Sequence, residues 1–259
     1  MSSQLEGDAR ARVEDDERAF FARYYAEQQY NALGWRLRMR RDLRVLLAAA
    51  GEKGPGRVLS IGCGDGAFEL LLAQHAEHVV ALDLSPEAIA VAQRAQARDG
   101  VRNVEFRCMS FRDLAWSERF DTIVCLAFLH HVAEAELPGF LRDCVAHLEP
   151  GGLFFSQDPN VNGALRAVGR VLLGRKYHAF HTPDERELDP DATRRQLQGA
   201  GLEGVALRHV DLTLIPASYV LKRGPDFALR VLSWIDRAWC ATPLAPWASG
   251  FAAWGRRPR

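Results

Sequence analysis

The stretch Val58-Leu-Ser-Ile-Gly-Cys-Gly-Asp-Gly-Ala-Phe68 decides the fold. Val58 to Ile61 reads as a short buried strand. Glycines follow at 62, 64 and 66, and Ala67-Phe-Glu-Leu-Leu-Leu-Ala73 opens a helix read over 67–75. Strand, glycine loop and helix form the first unit of a nucleotide-binding α/β sheet. Gly62 and Gly64 let the backbone turn sharply and leave no Cβ between it and a ligand. The helix presents its free N–H groups to whatever sits above the loop.

Val79-Val-Ala-Leu-Asp83 is a second strand that ends in an acid, 21 residues after Gly62. A carboxylate there can accept from both hydroxyls of a ribose. The spacing of Gly62, Gly64 and Ala67 also satisfies the dinucleotide form G-x-G-x-x-G/A, so these residues fit NAD and S-adenosylmethionine (SAM) equally.

Downstream, strand and helix alternate. Ser85-Pro86 is a helix start, with Ser85 as N-cap and the helix running to about Arg98. Val104 to Cys108 reads as a strand, as does the region Phe120 to Leu126. A helix over Ala135–Leu148 stops at Glu149-Pro-Gly-Gly152, and Leu153 to Gln157 is the fifth strand. This order implies a parallel sheet with helices on both faces. Further expectations are a helix over 161–173, a helix over 191–200, a strand over 205–214, a helix over 227–239 and a last strand over 251–254.

Composition narrows the function classes. The chain has 259 residues, 48% hydrophobic and 25% charged, with net charge zero. Nothing in that balance points to a nucleic acid. Five cysteines without a C-x-x-C read as reduced thiols of a cytoplasmic protein. The N-terminus is too charged for a signal peptide, and prolines interrupt the uncharged run from Ala238 to Gly255, which argues against a transmembrane segment.

Four blocks occur in order: Val58 to Gly66, Ala81-Leu-Asp-Leu-Ser-Pro86, Phe120-Asp-Thr-Ile-Val-Cys125 through Leu129-His-His-Val132, and Leu148-Glu-Pro-Gly-Gly152. In these the sequence resembles class I SAM-dependent methyltransferases, small-molecule members like the quinone methyltransferases in particular. The resemblance covers about 55–160 well and 190–255 loosely. It implies a Rossmann-like, doubly wound α/β fold with a seven-stranded sheet, its last strand antiparallel, and SAM as cofactor. Residues 1–54 would form a helical cap segment and 55–259 the methyltransferase domain, with inserts at about 158–190 and 212–246 covering the substrate. Carried over, Gly62, Cys63, Gly64 and Gly66 line the methionine and ribose, and Asp83 holds the ribose hydroxyls. Leu84 packs on adenine, and Leu126 and Ala127 flank the cofactor. Two positions depart from the family pattern. Ser60 stands where an acid is usual, and Ser110-Phe111 where Asp-Ala is usual; Ser110 would accept a hydrogen bond and Phe111 stack on adenine.

A base helps methyl transfer only when the acceptor must lose a proton. Candidates at the carboxyl ends of the strands are His130, His131 and Asp158, though the histidines also suit a loop-shaping role and Asp158 a helix cap near Val161. Tyr30, Trp35, His178 and His181 are candidate substrate residues; Arg36, Arg38, Arg40, Arg41 and Arg44 read mostly as a solvated helix face, the alternative being that one of them, with Tyr24, Tyr25 or Tyr30, closes over a ligand carboxylate. His178-x-x-His181 lacks further ligands at matching spacing, so no metal is expected. The aromatic inserts lean toward a small hydrophobic or aromatic acceptor, methylated at O or C. The 212–246 insert suits a lid, a dimer surface or peripheral membrane contact, in that order, in a monomer or homodimer. The alternatives are a SAM-binding protein that transfers no methyl group and, behind it, an NAD(P)-dependent oxidoreductase.

Overall fold

The structure is a computed structural model that describes residues 32–113, 118–173, 186–214, 217–218 and 225–259. Its elements are α1 (Ala32–Ala50), β1 (Arg57–Ile61), α2 (Ala67–Leu72), β2 (His78–Asp83), α3 (Pro86–Asp99), β3 (Val104–Cys108) and β4 (Phe120–Leu126). Then follow α4 (Leu137–His147), β5 (Leu148–Pro159), α5 (Ala164–Leu173), α6 (Pro190–Gly199), β6 (Glu203–Val210), α7 (Asp226–Trp239) and β7 (Gly250–Arg256).

The seven strands lie in the order β3-β2-β1-β4-β5-β7-β6. β1 pairs parallel with β2 and β4, while β7 runs antiparallel to β5 and β6. The expected mixed α/β fold with an antiparallel last strand is therefore present. Strand order reverses between β1 and β4, and the crevice at such a switch point, beyond the carboxyl ends of the strands, is where open α/β sheets bind ligands.

Alternation along each strand feeds two cores. Val58, Val79, Ala81, Val124 and Phe155 face α1, α2 and α3, where Met39, Leu46, Phe68 and Ile89 meet them. Leu59, Ile61, Val80, Ile123 and Phe154 face α4 and α6, with Phe140, Leu141 and Leu197. Both faces being covered explains the unbroken apolar runs of these strands.

Several boundaries differ from the sequence reading, each for a local reason. β5 begins at Leu148, because Phe120 pairs with Leu148 before a register shift sets Thr122 against Leu153. The expected helix at 161 begins only at Ala164: Asn160 accepts from Asn162 N–H through its side chain and from Gly163 N–H through its backbone, holding a turn first. β6 stops at Val210, where Asp211 takes φ +66° and breaks the extended run expected to reach Leu214.

Beyond the sheet, Leu33 of α1, Leu214 and Leu229 of α7 form a small separate core. Asp236 of α7 accepts from Thr213 N–H and Oγ1 at 2.7 Å and from Leu214 N–H at 3.0 Å. These contacts join α1 to α7. Among the described residues, no helix is long and apolar enough to cross a membrane.

Candidate functional site

The glycine loop leaves β1 through three left-handed residues, Gly62 (φ +75°), Gly64 (+55°) and Gly66 (+71°). Gly62 and Cys63 N–H both donate to Leu82 O, at 2.8 and 2.9 Å, which ties the loop to β2. A Cβ on Gly62 would lie 2.5 Å from Phe128 Cδ2, and one on Gly66 would lie 2.6 Å from Phe106 Cζ. The glycines thus admit two aromatic rings as well as a ligand, and any side chain there would add backbone strain to the collision.

Asp83 closes the loop from the end of β2. Its Oδ2 accepts from Gly64 N–H at 2.7 Å and its Oδ1 from Ser85 N–H at 2.9 Å. Burial raises its pKa, and the N–H groups of Ser85 and Gly64 work against that rise. A carboxylate has about four acceptor sites, so each oxygen keeps capacity for a hydroxyl. Ser85 caps α3 as expected, accepting from Ala88 N–H at 3.1 Å.

On the other side of the switch point, β4 ends in a strained turn. Ala127 takes φ +51° while its N–H donates to Gln157 O at 2.7 Å. The turn Leu129–His131 follows, and it points His130 into the protein, 4% exposed. His130 Nδ1 lies 3.0 Å from Asp158 Oδ1 on β5, and His130 N–H donates to the same oxygen at 3.3 Å. Asp158 is fully buried, and burial pushes its pKa up from 3.8 to about 7. Its Oδ2 has no hydrogen-bond partner among the described residues. The ring of His131 lies beside that of His130, 4.1 Å between centroids.

The next residue back along β5 faces the opposite side of the sheet. Gln157 Oε1 accepts from Arg38 at 2.7 Å, and the guanidinium also lies 4.6 Å over the ring of Trp35. α1 thereby lays Arg38 and Trp35 onto the same edge that carries His130 and Asp158. The positive charge of Arg38 acts to lower the pKa of Asp158.

Residues 58–152 match a family described as a methyltransferase domain. The ubiquinone biosynthesis O-methyltransferase of Xylella fastidiosa (strain 9a5c) is 36% identical over 124 residues, 47% of this chain and 48% of that protein. The chain spans about half the length of the curated relatives it matches. Among solved structures, N-methyltransferase NodS from Bradyrhizobium japonicum WM9, in complex with S-adenosylhomocysteine, aligns with TM-score 0.56 at 18% identity, over 88% of this chain and 89% of that one. The [4+2]-cyclase SpnF aligns with TM-score 0.57 at 18% identity, over 83% and 80%. The fold is that of the class I SAM-dependent methyltransferase superfamily.

Within that superfamily fold, Gly62, Cys63, Gly64, Gly66 and Asp83 form one loop assembly, with Leu84 directly after β2 and Leu126 and Ala127 at the end of β4. Ser110 caps a short turn, accepting from Arg112 N–H at 3.3 Å. Phe111 sits edge-on to Phe128 and Phe140, at 5.5 and 4.8 Å between centroids, with Arg112 over its ring. His130 and Asp158 come together; among the described residues Asp158 caps no helix, since its Oδ1 holds His130 and the turn before α5 is held by Asn160. Tyr30, His178 and His181 lie outside the described residues. Sequence reasoning missed Phe128, the partner of Gly62, and the pairing of Arg38 with Gln157. Only the arginine-rich helix hinted at the second.

Proposed function

We propose that this protein is a SAM-dependent methyltransferase acting at O or C of a small, hydrophobic or aromatic acceptor that loses a proton. The reading is carried by one juxtaposition: on the carboxyl edge of the sheet, the loop clamped by Asp83 stands beside His130 anchored on Asp158. The loop fits SAM, a zwitterion with an additional sulfonium charge. Asp65 and Asp83 lie in or beside it and it holds no Lys or Arg. Gly62 to Gly66 and Asp83 would hold the cofactor, with Leu84, Ser110, Phe111, Leu126 and Ala127 around it. When bound, SAM supplies a methyl group activated by the sulfonium.

The chain's own residues do the rest. Asp158, ionised, accepts the Nδ1 proton of His130 and so sets the tautomer in which Nε2 carries the lone pair that takes a proton from the acceptor. The hydrogen bond from the His130 backbone to the same oxygen fixes the turn, so the ring cannot drift from that orientation. Arg38 favours the ionised form of Asp158. Exposed apolar side chains on α5 (Leu165, Val168, Val171) and α7 (Phe227, Val231, Trp234) support an apolar acceptor approaching across the cap. A cytoplasmic, monomeric or homodimeric protein belongs to the same proposal.

A second reading is a SAM-binding protein with another activity. Ser60 in place of the strand acid favours it, and the cyclase shows that a similar fold carries more than one chemistry. The deciding experiment is calorimetric titration with SAM, S-adenosylhomocysteine and NADH, followed by turnover on phenols and quinols. Binding of SAM and its product without NADH, and turnover at least about a hundredfold lower in His130→Ala, is the expected result. NADH binding alone overturns the proposal. SAM binding with no turnover on any acceptor favours the second reading.

A further inference from the structure

The strand acid missing from position 60 has a counterpart elsewhere in the structure. Ser60 Oγ donates to Glu69 Oε1 at 2.7 Å, and the two side chains are each 2% exposed. Glu69 belongs to α2, the helix that follows the glycine loop. Its other oxygen, Oε2, is buried and has no hydrogen-bond partner among the described residues. The surroundings are apolar: Val58, Ala81 and Val124 share the sheet face of Ser60, and Met39, Leu43 and Leu46 of α1 belong to the same core. A carboxyl with an orphan oxygen in such a core is costly, and a leucine or methionine would pack there without the cost. The loop architecture above it supplies the reason to keep it.

We propose that Glu69 is the acid of the cofactor site in this chain, a positioning residue. It holds β1 and the glycine loop together through Ser60 and places under the loop the negative charge that a sulfonium ligand needs. In the pair the strand supplies the hydroxyl and the helix the carboxyl. This inference rests on the SAM reading above.

Charge around Glu69 gives the proposal a signature. The charged groups acting on it are Asp65 in the loop and Asp83 on β2, both acidic, with the buried thiol of Cys63 beside them. Burial, then these neighbours, raise its pKa from 4.5 to about 8, against the hydrogen bond from Ser60. Glu69 therefore holds a proton at neutral pH when no cation lies beside it. A cationic ligand favours the ionised form, so binding releases that proton, and affinity rises with pH toward about 8. S-adenosylhomocysteine lacks the sulfonium and should show a shallower pH dependence than SAM.

The test is calorimetric titration of the full chain with SAM and with S-adenosylhomocysteine between pH 6 and 9, in two buffers of different ionisation enthalpy. The variants are Glu69→Gln and the double exchange Ser60→Asp with Glu69→Ser. Wild type should release a proton on binding SAM. Glu69→Gln should bind SAM about tenfold more weakly at pH 8, the equivalent of one pK unit, with a flat pH profile. The double exchange should restore most of the affinity. Equal SAM affinity of Glu69→Gln and wild type at every pH overturns the proposal and leaves the SAM reading standing. So does equal pH dependence for both ligands in wild type, a readout that needs no variant to fold. Failure of wild type to bind either ligand overturns both.

Discussion

At β1 and β2 the candidate site is built from backbone; at β4 and β5 it is built from side chains. Asp83 is gripped by two main-chain N–H groups, and the loop it holds is tied to β2 through Leu82 O. Asp158, equally a carboxyl at a strand end, holds the ring of His130 and has one oxygen without a partner among the described residues. A backbone clamp fixes shape and tolerates many neighbours. A buried pair of titratable side chains fixes a proton, and its chemistry depends on each group around it. The first half suits a cofactor common to many reactions and the second an individual acceptor.

The largest effect should come from breaking the backbone half. In Gly62→Val the new side chain meets Phe128 and sits at φ +75°, a conformation hostile to a β-branched residue. Calorimetry should show SAM binding abolished, and denaturant unfolding should show a loss of about 1–3 kcal/mol. Retained affinity would mean that the loop shape is not what receives the cofactor.

Breaking the side-chain half should leave the other half untouched. Asp158→Asn removes the carboxylate charge and can present an NH2 donor to His130 Nδ1, which holds the ring in the tautomer protonated at Nε2, so turnover should fall about 10²–10⁴-fold while cofactor affinity stays within about twofold. The pH dependence sharpens the point. The folded protein keeps Asp158 protonated up to about 7, whereas the free group has lost its proton above 3.8. Between those values the native state binds more protons than the unfolded chain, so Asp158 makes stability fall as pH rises. Thermal melts from pH 4 to 8 should show that slope in wild type and a shallower one in Asp158→Asn. Wild-type turnover should rise with pH through about 7, as Asp158 ionises and can accept the Nδ1 proton of His130. A variant with undiminished turnover would make the pair structural.

The same contrast explains how far the sequence could be read. The glycine loop, Asp83 and the Ser85 cap are local patterns: spacing along a few residues dictates their geometry, and the structure has Ser85 capping as expected. His130 and Asp158 were visible as separate candidates at strand ends. Their pairing joins residues 28 apart, and periodicity carries no information about that contact. Arg38 meets Gln157 across 119 residues, and the partner of Gly62 is a phenylalanine on another strand's exit turn. The pairing of Ser60 with Glu69 registers in the sequence only as a departure at position 60. The compensating acid sits nine residues on, within a helix whose other residues are apolar. Long-range packing, not local propensity, decides each of these.

The smallest expected effect concerns a conformation that both halves share. Gly62 and Ala127 each leave a β-strand through a left-handed residue, at φ +75° and +51°. The cofactor half uses glycine, for which that region is open, and the acceptor half uses alanine, for which it costs about 1–2 kcal/mol. Ala127→Gly removes that strain but adds freedom to the unfolded chain worth about 0.4–1 kcal/mol. The net should be a gain of about 0.5 kcal/mol in stability, read as a small rise in the denaturation midpoint. Turnover should move the other way. Ala127 opens the turn that carries His130, and its one amide bond to Gln157 would then restrain a more permissive backbone. A more stable but slower variant would show that strain at this strand end serves to aim the histidine; a loss of stability would show that Ala127 is held by packing that glycine forfeits.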